Sequence, residues 1–86
     1  MTFALTSDVT LTDVEDGLVL LDQRDGRYWH LNGTGAAALR MLLDGSSPED
    51  TARRLGEQGP EAAGRALSDV RSLVEALRRA RLVVAR

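Results

Sequence analysis

The hydrophobic period of this 86-residue chain shifts at Asn32, from two residues to three or four, which dictates strands first and helices after. Val9 and Leu11 alternate with Thr10 and Thr12, so Val9–Val14 reads as a first strand and Glu15-Asp16-Gly17 as its turn. Leu18-Val19-Leu20-Leu21 is an apolar run bounded too closely by turn signals to be a helix. Asp22 to Gly26 then ends in an Asp-Gly pair, which favours positive φ, and Arg27–Leu31 is the return strand. Together the three make an antiparallel meander.

Beyond this point the signals are helical. Asn32 is suited to cap the free N–H groups of a helix starting near Gly33 or Thr34. Ala37, Ala38, Met41 and Leu42 recur at helical spacing, and Gly45 fits the left-handed position after the last turn. Ser47-Pro48-Glu49-Asp50 opens a second helix with a cap, a proline at its first position and acids in its first turn. Glu49 with Arg53 and Asp50 with Arg54 stand at i,i+4 spacing, and Gly56 to Pro60 closes the helix. The third helix carries an apolar stripe of Ala63, Ala66, Leu67, Val70, Leu73, Val74 and Leu77. Gly64 weakens its first turn, so its start falls between Pro60 and Arg65. Leu82-Val83-Val84 reads as a short strand or a docked tail. The expected fold is α+β and winged helix-turn-helix-like: a three-stranded antiparallel sheet followed by three helices, in one domain over residues 1–86.

Composition removes most chemistry. With 43% hydrophobic but only 3% aromatic residues, the core must be built from Leu, Val and Ala. The absence of cysteine excludes thiol nucleophiles, disulfides and zinc–thiolate sites, and fits a reducing, cytoplasmic setting. Residues 1–8 have neither the basic start nor the apolar run of a signal peptide, and no run is long enough to cross a bilayer. His30 stands alone, too few ligands for a metal site, and no nucleophilic triad can be assembled around it. Gly33-Thr34-Gly35-Ala36-Ala37-Ala38 matches a dinucleotide fingerprint in letters only. The parallel strand and terminal acid that such a site needs do not follow it, and small residues letting a helix lie close to a sheet explain the run. Neither an enzyme nor a cofactor is expected.

The net charge is −2, and every basic residue is arginine. Helices two and three with the hairpin as a wing match a winged-helix DNA-binding regulator, but the acidic balance counts against it, and the third helix offers only Arg65 near its start. The charge is uneven: acids from Asp8 to Asp25 crowd the first third, and arginines from Arg65 to Arg86 dominate the last. The strand Arg27-Tyr28-Trp29-His30-Leu31 carries most of the aromatic surface and has no strand after it. Alternation puts Trp29 and Leu31 on one face and Tyr28 and His30 on the other; it does not decide which is core, although a lone tryptophan in so small a domain is more often buried. As the open edge of a small sheet, this strand offers unpaired backbone groups to an extended peptide.

The run Leu31-Asn32-Gly33-Thr34-Gly35, followed by Leu42-Leu43-Asp44-Gly45 and Ser47-Pro48-Glu49-Asp50, closely resembles the PqqD-like family, and the hairpin Asp25-Gly26-Arg27-Tyr28 stands at the matching place. The likeness runs from about Val9 to Val84 and is strongest to the small B1 component of lasso-peptide biosynthesis. The resemblance implies a leader-recognition domain for ribosomally made, post-translationally modified peptides. A precursor's leader would add as a strand to the third strand, in a cleft against the third helix. By position, the backbone of Arg27, Tyr28, Trp29, His30 and Leu31 would supply the ladder. Leu67, Val70, Arg71 and Val74 would line the helical wall, with Arg71 and Arg78 facing leader carboxylates. The implied partners are the precursor's leader peptide and a separate B2-type cysteine leader peptidase or other modifying enzyme, without nucleic acid or membrane. A PqqD-type accessory to a radical enzyme shares this pattern and stays open as an alternative.

Overall fold

The computed structural model describes residues 2–57 and 60–85, and the side chains of all of these except residues 60–63. In chain order the elements are β1 (Phe3–Leu5), β2 (Val9–Val14), β3 (Gly17–Asp22), β4 (Arg27–Asn32), α1 (Gly33–Leu43), α2 (Pro48–Gly56), α3 (Pro60–Arg79) and β5 (Val83–Ala85). The antiparallel meander β2-β3-β4 followed by three helices is the expected α+β arrangement. To it the structure adds a terminal clasp. β1 pairs antiparallel with β5, Phe3 opposite Ala85 and Leu5 opposite Val83. The C-terminal tail is therefore a strand, and its partner is a strand of three residues, too short to show a period.

Each helix end follows from local chemistry. Asn32 caps α1, its side chain accepting the Gly35 N–H at 2.9 Å. The helix closes with two bonds characteristic of a left-handed turn: the Ser46 N–H donates to the Met41 carbonyl at 3.0 Å and Gly45 N–H to Leu42 at 3.1 Å, with Gly45 at φ 108°. Ser47 caps α2 through the Asp50 N–H at 3.0 Å. The expected charge pairs on α2 are rearranged. Arg53 reaches Asp50 at 3.0 Å, one residue closer than i,i+4, and Glu49 turns to Arg71 of α3 at 3.4 Å because α2 and α3 pack together along their lengths. α3 begins at Pro60, the early end of the expected range, while Gln58 and Gly59 of the segment expected to close α2 lie outside the described residues, as does the Ala63 side chain.

Two apolar clusters make the core. One joins Val9, Leu18, Leu20, Leu39, Leu77 and Leu82 between the sheet, α1 and the end of α3. The other joins Phe3, Ala38, Leu42, Leu55, Ala66 and Val70 among the helices. Leu73 packs against both. Leu18 and Leu20 are fully buried, which stabilises the fold by roughly 1.5–3 kcal/mol for each side chain.

The β3–β4 hairpin is held at its loop end by Asp22. Its carboxylate accepts Arg24 Nε at 2.9 Å and Nη2 at 3.0 Å, and the Arg24 backbone N–H at 3.0 Å. The same guanidinium donates to the Arg81 carbonyl at 2.9 Å, tying the hairpin to the α3–β5 turn. Hydrogen bonds from the Arg24 side chain hold the Asp22 carboxyl below the ordinary carboxylate value, and the same bonds to Asp22 raise Arg24 above its own.

Candidate functional site

The direction in which each β4 backbone group points follows from the pairing of the other strands. The β2–β3 turn holds two residues between Val14 and Gly17, and Gln23 N–H donates to the Asp8 carbonyl at 3.0 Å one step beyond the far end of that ladder. Hydrogen-bonded partners alternate along an antiparallel pair, so residues 17, 19 and 21 of β3 turn their backbone groups to β2, and 18, 20 and 22 turn theirs to β4. Their β4 partners are Leu31, Trp29 and Arg27. The N–H and C=O groups of Tyr28 and His30 consequently point away from the sheet. No other strand of the described residues pairs with that side.

The side chains divide as alternation predicts. Trp29 and Leu31 are half-buried and pack on the first core cluster, whereas Tyr28 is 72% exposed and His30 is exposed, its Nε2 3.9 Å from Asp16. Gly17, opposite Asn32, lets β3 and β4 close up before the helix, since a Cβ there would strike the Leu31 carbonyl oxygen. Arg40 of α1 pairs with Asp13 of β2, fixing helix to sheet.

At its C-terminal end β4 runs into a cleft of about 240 Å³. Asn32, Thr34, Gly35 and Ala38 form one wall, Leu55 of α2 the floor, and Asp69, Val70 and Leu73 of α3 the other wall. β2 is the sheet's other edge, but none of its residues lines this cleft. A larger groove of about 790 Å³ has only α3 residues around it, Leu67 and Arg71 among them, and is therefore the open side of one helix.

Of the residues named from sequence on α3, Val70 lies in the cleft wall and is 2% exposed, serving core and cleft together. Val74 packs half-buried against the second core cluster. Leu67 and Arg71 lie on the flank toward α2, where Arg71 meets Glu49; Arg78 is exposed on the last turn. Leu73 and Asp69 complete the cleft wall, and neither is among the site residues expected from the sequence. On the helix both lie three to four residues from Val70 or beside it, a placement that only the packing of α1 and α2 distinguishes from the opposite flank.

Among the described residues, no group of three or more His, Cys, Asp or Glu side chains is placed to hold a metal ion, and no helix is long and apolar enough to cross a membrane.

A meander with a free third strand, a helix capped from that strand, and a cleft against the last helix define a small α+β recognition fold. Residues 17–83 match the family described as Coenzyme PQQ synthesis protein D (PqqD), and the chain belongs to that family. Among solved structures it is similar to a lasso peptide synthetase B1 complexed with the leader peptide, at 34% identity and a TM-score of 0.90, over 99% of this chain and 100% of that one. It shares its fold with TbiB1 in complex with the TbiA(beta) leader peptide, at 22% identity and a TM-score of 0.83, over 100% of this chain and 98% of that one. No curated protein sequence matches it significantly.

Proposed function

We propose that this chain binds the leader peptide of a ribosomally synthesised precursor by strand addition to β4 and delivers it to a partner enzyme, a leader peptidase or a modifying enzyme, in lasso-peptide-type biosynthesis. Its role is to hold the substrate, with no reaction of its own and no cofactor. The observation that carries this reading is the outward-pointing pair of Tyr28 and His30 backbone groups on an unpaired edge leading straight into the cleft. Membership of the PqqD family and the likeness to a leader-bound B1 protein support it. In this mode the main-chain ladder supplies affinity, and the cleft, with Val70 and Leu73 in its wall, supplies side-chain selection.

The test is fluorescence anisotropy of a labelled leader peptide from a candidate lasso-peptide precursor, titrated with the protein, with labelled duplex DNA as control. Saturable leader binding, micromolar or tighter, with no DNA binding is the expected result. DNA binding without leader binding would make the fold a winged-helix regulator instead. Co-purification with the leader-bearing precursor then identifies which enzyme receives it.

A further inference from the structure

The three-stranded sheet has a second open edge, β2. Pairing with β3 turns the backbone groups of Thr10, Thr12 and Val14 to Leu21, Val19 and Gly17, so those of Val9, Leu11 and Asp13 face the open side. The Val9 N–H is taken by the Thr6 carbonyl at 3.0 Å, whereas the N–H groups of Leu11 and Asp13 have no backbone partner among the described residues. This edge is self-complementary. A second copy laid antiparallel about a two-fold axis at Leu11 sets Leu11 against Leu11 and Thr10 against Thr12, and each Leu11 N–H meets the other copy's carbonyl. Within the strand, the one pairing that opposes a charge to an apolar side chain is Asp13 against Val9, and the axis makes it occur twice.

Asp13 stands opposite the buried Leu18, on the core side of the sheet, yet it is paired there with Arg40 of α1. Their side chains are 70% and 44% exposed, and an ion pair so open to water adds little to stability. It does place two charges where the core-side side chains of an added strand belong, about 4.5–5.5 Å from the Asp13 Cβ. A strand docked there takes water from both charges, and their mutual attraction repays that loss poorly. Charged side chains turned toward the core side are one way in which an edge is kept from pairing. At β4 the matching neighbours of the outward backbone groups are Trp29 and Leu31, which are apolar and packed on the core. We infer that the Asp13–Arg40 pair closes the β2 edge: it prevents two copies from joining their sheets through β2 and leaves β4 as the edge that accepts a strand.

The test uses the full chain without leader, so its outcome does not depend on the leader-binding proposal. Asp13→Thr/Arg40→Ala removes the pair and continues the Thr10, Thr12 pattern. Asp50→Thr/Arg53→Ala removes an exposed pair of the same residue types on α2 and is the control. Circular dichroism checks folding, and Asp13→Asn, which removes the charge and keeps the shape, repeats the test should the first variant unfold. Sedimentation velocity reads association, and amide hydrogen exchange followed by NMR reads the N–H groups at positions 11 and 13. In the unaltered chain and the control, both amides should exchange freely up to about 1 mM protein. The edge variant should form a dimer at least about tenfold below that concentration, with both amides protected. A variant that stays monomeric, or dimerises with those amides unprotected, would overturn the inference. So would equal association by the control, or protection of both amides in the unaltered chain as its concentration rises.

Discussion

Proline separates the two sides of β4 because it removes one N–H and places a ring carbon where the proton was. Tyr28 and His30 turn their N–H groups outward, while Trp29 turns its own to Leu20 of β3. Tyr28→Pro and His30→Pro therefore leave the β3–β4 ladder intact, and edge strands accept proline at such positions. Both variants should fold with near-native melting temperatures. Each leaves a leader carbonyl without its donor, a penalty of about 1–3 kcal/mol, which is a loss of about 5–150-fold in affinity. Trp29→Pro instead deletes a ladder bond and the half-buried indole, and should destabilise the fold by about 3 kcal/mol or more. Thermal unfolding and anisotropy on the three variants read these effects apart. If the folded Tyr28→Pro and His30→Pro proteins both bind leader as tightly as the unaltered chain, the leader does not add to β4 and the reasoning fails.

Three further perturbations test the frame around the site. Arg81 occupies a left-handed position, φ 61°, in the turn closing α3, where Leu82 N–H donates to the Leu77 carbonyl at 2.9 Å and glycine is the usual residue. Arg81→Gly keeps the carbonyl that Arg24 uses and should raise stability by about 1 kcal/mol, or about 4–8 °C in melting temperature; no rise would refute the strain argument. Because the folded-state pKa of Asp22 is depressed, its contribution is present above the unfolded value near 3.9 and is lost as pH falls through the folded value. Asp22→Asn should be less stable at neutral pH and show a flatter loss of stability in acid, measured by denaturant unfolding across pH; parallel acid limbs would argue against it. Arg71→Glu breaks an exposed pair with Glu49, so it should cost up to about 1 kcal/mol of stability and leave leader affinity within about twofold; a larger affinity loss would bring that flank of α3 into the site.

What was legible in the sequence is what depends on period and local chemistry. The strand at 9–14, the hairpin through Asp25-Gly26, the caps at Asn32 and Ser47 and the stripe on α3 each write a signal several residues long. The β1–β5 clasp does not: its three-residue strands meet across the whole chain, and Phe3 is core only because that pairing carries it there. Alternation paired Trp29 with Leu31 on one face of β4 but did not decide which face turns inward, and the outward backbone parity was not readable at all. Side chains and backbone groups alternate in different directions. Which residues bond to β3 is set by the two-residue β2–β3 turn and the Asp8–Gln23 bond, features of pairing that residue types do not encode. The helical wall of the cleft was half readable for a related reason. The stripe locates Val70, but α3 presents similar flanks on either side of it, and α2 covers one of them. Glu49 of α2 meets the exposed Arg71 at the edge of that flank, whereas Asp69 and Leu73 line the cleft at the end of β4. On the proposed reading, the cleft that selects a leader side chain is thus set by helix packing, and the backbone that would hold the leader is set by strand register.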